Sequence, residues 1–280
     1  MLAMTLWVAV EVIGSVAARD IALPQLVWLR YVFHLLLMSL LIAPRTGPAF
    51  VRTSRPVLHF ARSLLMVVMP GSYILGARFL SVTQIMGVFW IAPVLVLLFA
   101  RTIGDRASPT TWAAVIAGWV AATGMYRPNP SAIGWAVVFP LAMAASFALY
   151  IVLTRVLDRT EGVETNLFYS AAGVVLAVAP AMLLLWEQPT RRALAASLAV
   201  GVVGDVVLWS LDLAVRAAPP SRTAVFLFFQ VLVAKFLGAA GNFDFRSRSL
   251  WLGTALICAA MYAEARSQPV TPIPMRAGHN

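Results

Sequence analysis

The chain has 280 residues, of which 61% are hydrophobic and only 11% carry a formal charge. Because an ordinary soluble domain carries about 25% charged residues, this composition excludes a water-soluble fold. The net charge of +10 is spread over short segments between apolar stretches, as membrane proteins place their basic residues. Without a basic run or a stacking motif, that charge also argues against nucleic-acid binding.

Ten apolar stretches predict ten membrane-spanning helices. A bilayer core about 30 Å thick needs about 20 apolar residues per helix, so ten helices and their turns account for the whole length. We therefore predict an all-α integral membrane fold without a separate soluble domain. The predicted spans are 2–18, 26–43, 57–77, 82–100, 110–126, 134–154, 166–186, 195–215, 222–240 and 249–265.

The first span is interpreted as a retained helix rather than a signal peptide. It has no basic n-region, and it contains Glu11 within its apolar segment. Cys258, the only cysteine, falls in the last predicted span, which excludes disulfides and thiolate metal sites.

The distribution of arginines predicts that both termini are cytoplasmic, in a bacterial inner membrane. With this orientation the inner segments carry eleven arginines and the outer loops seven, the bias that the positive-inside rule describes.

Two segments of the chain, 77–112 and 215–251, follow the same plan at an offset of 138 or 139 residues. The aligned pairs are Arg78 with Arg216, Asp105 with Asp244, and Trp112 with Trp251. Five spans per copy is an odd number, so the second copy enters the membrane from the opposite side, which predicts an inverted repeat. The expected units are residues 1–128, residues 129–266 and a cytoplasmic tail, 267–280.

The repeated segments resemble the drug/metabolite transporter superfamily. The resemblance rests on Ala77-Arg78 at the end of the third span, Gly87 and Pro93 in the fourth, and the acidic turn before a fifth span rich in small residues. It extends over nearly the whole chain and is greatest for the EamA-type ten-helix exporters, in particular the YddG-type exporters of aromatic amino acids. The second copy lacks the proline and has Gln230 and Val231 there.

Pro70 and Pro93 are candidate hinges. Each removes a helix hydrogen bond and frees a carbonyl one turn earlier, and Gly71 follows Pro70. The alternative is a static bend, because proline is common in membrane helices. Stripes of alanine and glycine in the fifth and tenth spans predict close helix packing, either inside the scaffold or between two copies, so a monomer and a homodimer both remain open.

Charges within the spans need partners, because a charge at the bilayer centre costs about 2.5 to 3.5 kcal/mol. Equal depth predicts that Glu11 pairs with Arg30 or His34, either as a static staple or as a gate or proton-linked group. Similar depths also pair Asp205 with Lys235, the only lysine. Asp212 precedes Arg216 by four residues, the favourable spacing for a helical ion pair.

Several polar and aromatic residues at middle depth are candidates for binding a substrate between the two repeats. Asp205, Trp209 and Asp212 share one helix face, and Trp90 and Trp209 lie far from the interfacial belts that usually hold tryptophan. The candidate binding residues are Tyr73, Gln84, Trp90, Tyr150, Asp205, Trp209, Phe229 and Gln230. His59 and Arg62, near the inner end of the third span, are interpreted as either lipid-headgroup contacts or an inner gate.

The leading functional hypothesis is an exporter of amino acids and related small metabolites that works by alternating access. The alternative is efflux of bulky aromatic or cationic drugs, and a third possibility is a structural subunit of a larger complex. No HExxH, GxSxG or Walker motif supports an enzyme. We expect no cofactor and no metal, with membrane lipid and a small-molecule substrate as the partners.

Overall fold

The computed structural model describes residues 1–238 and 247–267. Within these ranges the regular structure is helical, and no strand occurs. The helices that build the core are α1 (Leu2–Ala17), α2 (Leu23–Leu41), α3 (Pro56–Gly76), α4 (Val82–Phe89), α5 (Ala92–Ala100), α6 (Pro109–Tyr126), α7 (Val138–Leu157), α8 (Val163–Leu185), α9 (Arg191–Ala217), α10 (Pro220–Leu227), α11 (Phe229–Phe236) and α12 (Arg248–Ser267).

Six helical segments of the described chain are long and apolar enough to cross a membrane. They are Leu23–Leu41, Pro56–Gly76, Val82–Ile103, Pro130–Leu157, Val163–Leu185 and Arg191–Ala217. The other predicted spans coincide with helices that are shorter, interrupted or less apolar. The predicted end of the ninth span, together with Asp244, Arg246 and the tail after Ser267, lies outside the described residues.

The predicted fourth and ninth spans are each broken in the middle. The first break follows Phe89, and Pro93 stands in the first turn of the new helix α5, where its missing N–H costs nothing. The second break falls at Phe228 between α10 and α11, without a proline. Trp90 and Phe228, the C-caps of α4 and α10, are 138 residues apart. Helix α3, by contrast, continues through Pro70.

Side-chain caps fix where several helices begin. Ser81 and Gln84 form a capping box at the start of α4, so two backbone N–H groups that lack a helical partner are satisfied. Ser108 caps α6 and Thr190 caps α9 in the simpler one-sided manner. These caps explain why short turns suffice between long apolar helices.

Six large helix contacts hold the described core together. The pairs are α1 with α9, α3 with α7, α6 with α12, α2 with α8, α3 with α8, and α2 with α9. Close approach is possible because glycines face neighbouring side chains: Gly201 and Gly204 face α2, and Gly118 faces the Phe228 ring. A Cβ at Gly201 would lie 2.8 Å from the Cβ of Phe33.

We call the side on which α1 begins the terminal side and the side on which α1 ends the far side. The terminal-side connections are 42–55, 101–108, 158–162 and 218–219, and the described far-side connections include 18–22, 77–81, 127–137 and 186–190. Contacts across each side agree with this division, since Ser54 bonds to Glu161 on one side and Thr190 to Asp20 on the other.

Candidate functional site

One face of α1 is buried in the first half of the helix and exposed in the second half. Met4, Val8, Glu11 and Ser15 lie on this face because they are spaced by three or four residues. Met4 and Val8 are 3% and 0% exposed, whereas Glu11 and Ser15 are exposed. An accessible space, which we call the far-side hollow, therefore begins at the level of Glu11 and continues toward the far side.

Glu11 is bound by side chains from its own helix and from α11. The Gln230 Nε2 atom donates to Glu11 Oε1 over 2.9 Å, and Trp7, one turn earlier on α1, also bonds to this carboxylate. Tyr73 on α3 and Tyr126 on α6 lie within electrostatic reach of Glu11. The carboxylate is thus the common point of four helices.

Two buried polar groups beside this carboxylate lack a well-oriented hydrogen bond. They are the indole N–H of Trp90 and the hydroxyl of Tyr126, which lie close to each other. Buried polar groups in a native protein are nearly always satisfied, so these two are exceptions at the edge of the hollow. The ammonium of Lys235 lies 4.2 Å from the centre of the Tyr126 ring, which places a positive charge at the same site.

Five aromatic rings close the hollow toward the terminal side, and we call them the aromatic layer. They are Trp7, Phe89, Trp90, Phe147 and Phe228. Successive ring centroids lie between 5.4 and 5.9 Å apart, within the range of favourable edge-to-face and tilted pairs. The layer includes both residues at which the fourth and ninth spans are broken.

Below the aromatic layer, Arg62 on α3 forms a buried polar cluster with three other helices. Its guanidinium donates to both carboxylate oxygens of Asp212 on α9 at 2.8 Å and to the Tyr150 hydroxyl on α7 at 2.6 Å. It also donates to Thr154 on α7 and to Ser170 on α8. Arg62 and Asp212 are both 0% exposed. We call these five residues the Arg62 cluster.

Further contacts join the same helices at the terminal-side surface. Arg155 donates to the backbone carbonyls of Val215 and Arg216, and Arg216 pairs with Asp158 at 3.1 Å. Around them, Glu161 accepts hydrogen bonds from Thr53 and Ser54. These contacts close the terminal side, whereas Glu11 and Ser15 remain exposed on the other side of the aromatic layer.

Helices α6, α10 and α12 are also joined at the terminal side. Ser221, at the start of α10, donates from its backbone and hydroxyl to Asp105. Glu264 on α12 is fully buried, accepts a hydrogen bond from Thr111 on α6, and lies 3.4 Å from Arg222 on α10. These bonds tie α10 to α6 and α12.

The three ion pairs predicted from the sequence are wrong. Glu11 bonds to Gln230 rather than to Arg30 or His34, because α1 packs on α9 and turns this face toward α11. Arg30 instead lies against Gly204, with its guanidinium over the Tyr31 ring.

His34 lies 3.1 Å from Asp205, which takes the place of the predicted Asp205–Lys235 pair. Asp212 pairs with the buried Arg62 rather than with Arg216, which reaches Asp158 instead. A buried guanidinium is the stronger partner because attraction between charges grows as the surroundings become less polar.

The residues predicted to bind substrate are divided by the fold. Tyr73 and Gln230 border the hollow, and Trp90 lies in its floor. Tyr150 is 1% exposed within the Arg62 cluster, and Gln84 is used as a helix cap.

Two others lie away from the hollow. Trp209 packs half-buried against the main core, and Phe229 lines a shallow apolar groove with Met1, Cys258 and Tyr262. Phe229 therefore faces away from Gln230, its neighbour in the chain.

Sequence reasoning missed Trp7, Tyr126 and the central position of Arg62. Trp7 and Tyr126 stand near span ends, where tryptophan and tyrosine are usual. The sequence indicates a headgroup contact or an inner gate for Arg62. The signal for its central position is that Tyr150, Thr154, Ser170 and Asp212 fall at similar depths in their spans and offer matching acceptors. Among the described residues no group of His, Cys, Asp and Glu could hold a metal ion.

No family model matches the chain. It is 30% identical over 237 residues to the riboflavin transporter of Rhizobium johnstonii, covering 80% of this chain and 75% of the relative. It is also 23% identical to S-adenosylmethionine uptake transporters of Rickettsia prowazekii and Rickettsia bellii, covering 79% of this chain and 77% or 78% of theirs.

A protein of known crystal structure, 18% identical in sequence, superposes with a TM-score of 0.79 over 95% of this chain and 96% of its own. This likeness shows that the fold is shared. The names of the relatives support membrane transport but not the predicted amino-acid exporter subtype. The chain belongs to the family of membrane transporters that includes the riboflavin transporter of Rhizobium johnstonii.

Proposed function

We propose that this protein is an alternating-access carrier of the drug/metabolite transporter type, which takes up a metabolite with a flat heteroaromatic ring. The observation that carries the proposal is the exposed Glu11 carboxylate, bonded to Gln230 at the bottom of the far-side hollow. A carboxylate charge at this depth in the membrane is costly, and ionisable residues inside membrane spans therefore mark functional sites.

The arrangement of helices supports two inverted five-helix repeats. If each helix of the first repeat is replaced by its counterpart in the second, α1 corresponds to α7, α2 to α8, and α3 to α9. The α1–α9 contact then corresponds to the α7–α3 contact, and the α2–α9 contact to the α8–α3 contact. All four contacts are extensive. The helix breaks at Trp90 and Phe228 also correspond at the repeat offset of 138 residues. Carriers with inverted repeats bind substrate near the bilayer midplane, at the interface between repeats, where the aromatic layer lies.

The site chemistry supports a substrate with a ring and a polar chain. The partly exposed rings of Trp7 and Tyr73 can stack on a flat ring, and Glu11 and Gln230 offer directional hydrogen bonds. Riboflavin and S-adenosylmethionine, the compounds in the relatives' names, both combine a heteroaromatic ring with hydroxyl groups.

The direction we propose is uptake from the far side to the terminal side. The Rickettsia relatives are named uptake transporters, and the arginine bias puts the termini in the cytoplasm of a bacterium. The far-side hollow then faces outward. Binding of substrate against Glu11 and the aromatic layer would precede opening of the Arg62 cluster.

Uptake into proteoliposomes tests the proposal. Purified protein should move radiolabelled riboflavin, or S-adenosylmethionine, down its gradient well above empty liposomes. Glu11→Gln should lower this uptake at least tenfold, whereas the control Glu164→Gln, an acid in the first turn of α8 on the terminal side, should leave it unchanged.

Four results would contradict the proposal or parts of it. Equal uptake by both variants would remove Glu11 from the site. Transport of tryptophan instead of the ring-containing metabolites would restore the amino-acid carrier, and transport of ethidium alone would favour drug efflux. No movement of any of these compounds would refute the carrier assignment for them all.

A further inference from the structure

Asp205 and His34 form a second polar site, away from Glu11 and midway along their helices. His34 is on α2 and Asp205 on α9, with His34 Nε2 3.1 Å from Asp205 Oδ1. The two side chains are 1% and 12% exposed. Neither atom has a well-oriented hydrogen bond within the described part of the chain, so the pair is close but unsatisfied.

An imidazole nitrogen and a carboxylate oxygen at this distance require one proton between them. A neutral imidazole can donate its own Nε2–H to an ionised carboxylate, but this leaves a net negative charge in the membrane interior at a cost of about 2.5 to 3.5 kcal/mol. A protonated carboxyl group can instead donate its O–H to the imidazole nitrogen, and the pair is then neutral. The cost of the buried charge therefore favours the state that holds one additional proton.

The groups around the pair do not supply another partner. Arg62 is occupied by Asp212, and Glu11 by Gln230. The other charged or titratable groups on these two helices and on the helices packed against them are Arg30 and Tyr31 on α2, His59 and Tyr73 on α3, Tyr150 and Arg155 on α7, Glu164 and Tyr169 on α8, Arg191, Arg192 and Arg216 on α9, and Arg222 on α10.

A protonated His34 would be buried and repelled by Arg30 and Arg62. In the proposed state the imidazole is therefore the neutral acceptor and the proton is on Asp205. Because 12% of the Asp205 side chain is accessible, the proton can enter and leave through the carboxyl group.

We propose that Asp205, with His34 as its acceptor, binds the coupling proton of a substrate–proton symporter, an inference that rests on the proposed carrier function. One proton binds Asp205 from the far side, travels with one substrate, and leaves on the terminal side. Helix α9 carries Asp205 and also Asp212 of the Arg62 cluster. A charged Asp205 resists any movement of α9 that would strip it of water or of His34, so α9 moves when Asp205 is protonated.

The proton site is tested first without any substrate. Infrared difference spectra of the full-length protein, recorded between neutral and alkaline pH, should show the carbonyl band of a protonated carboxyl group. The band should vanish in Asp205→Asn and shift in His34→Gln, and it should persist in Glu164→Gln. Absence of the band from the wild-type protein, or its persistence in Asp205→Asn, would overturn the inference.

Coupling is tested next with riboflavin in proteoliposomes, under a clamped membrane potential. A gradient of one pH unit, alkaline inside, should drive about tenfold accumulation for one proton per substrate. Asp205→Asn should abolish accumulation but retain exchange of labelled for unlabelled riboflavin, which also shows that the variant is folded.

Different results would contradict the carrier function and the proton coupling. Loss of exchange in wild-type protein would contradict the carrier function for riboflavin, while the infrared result still decides the proton site. Exchange without pH-driven accumulation by the wild-type protein would contradict the coupling alone. Accumulation by Asp205→Asn equal to that of the wild-type protein would likewise contradict the role of Asp205.

Discussion

The Arg62 cluster and the far-side hollow occupy opposite halves of the same helical core, and they use polar groups differently. In the cluster, the Arg62 guanidinium satisfies acceptors on three neighbouring helices and is 0% exposed. In the hollow, Glu11 is exposed and Tyr126 and Trp90 hold polar atoms without good hydrogen bonds. The first arrangement stabilises one conformation, and the second leaves groups available to a ligand.

The proposed repeat makes this contrast sharper. At the offset of 138 residues, each member of the cluster corresponds to an apolar residue in the other copy. The corresponding pairs are Arg62 with Val200, Tyr150 with Val12, Ser170 with Val32, Asp212 with Ile74 and Thr154 with Val16. Closure of the far side therefore cannot use an equivalent ionic lock. The carrier is expected to rest with its far side open and to need bound substrate for the opposite state.

The largest effect is expected from removing Arg62. Arg62→Met leaves Asp212 buried without its partner, which should lower the free energy of unfolding by about 3 to 5 kcal/mol. Thermal unfolding in detergent measures the loss. The matched double variant Arg62→Met with Asp212→Leu should recover most of it, because no unpaired charge remains. A single variant as stable as the wild-type protein would show that the cluster does not hold the terminal side closed.

A smaller effect should follow from filling the space beside the aromatic layer. A Cβ at Gly118 would overlap the Phe228 ring, so Gly118→Ala should destabilise the protein by about 1 to 3 kcal/mol. Gly124 lies on the same helix with nothing within 4 Å of a Cβ, and Gly124→Ala should be neutral or slightly stabilising. Equal melting temperatures for the two variants would contradict the tight crossing of α6 and the ninth span.

The smallest effect concerns Glu161 in the terminal-side loop. Burial opposes ionisation, but the hydrogen bonds from Ser54 and Thr53 outweigh it and lower the pKa of Glu161. Since the folded pKa lies below the unfolded value, the stabilisation is present above the ordinary glutamate pKa of about 4.3 and is lost as pH falls through the folded pKa.

Because Glu161 is only partly buried, the contribution should be under about 1 kcal/mol. Melting curves of wild-type protein and Glu161→Gln, compared at pH 7 and below pH 4, check the sign. The stability difference between the two proteins should shrink below pH 4. A difference that grows there would contradict the lowered pKa of Glu161.

The helices could be predicted from sequence because a bilayer imposes their length and composition. The break at Pro93 could also be anticipated, since proline removes a backbone donor. The break at Phe228 could not, because no residue there forbids a helix and the crossing with Gly118 depends on tertiary packing.

The pairing of charges was predicted less well for a related reason. Depth in the membrane fixes how far along a helix a charge lies, but not which neighbour it faces. Glu11 and Arg30 were assigned similar depths, yet Glu11 turns toward α11 and Arg30 toward α9. Rotation about each helix axis depends on which residues pack closely, such as Gly201 and Gly204.

Accessibility of Ser15 tests the central claim most directly. In a Cys258→Ala protein, Ser15→Cys should react with a membrane-impermeant maleimide added to the far side of membrane vesicles, and riboflavin should slow the reaction. Val8→Cys, on the same face below Glu11, should stay unlabelled from that side. Labelling of Val8→Cys as fast as Ser15→Cys, or labelling of Ser15→Cys only from the terminal side, would contradict a hollow that opens to the far side and ends at the aromatic layer.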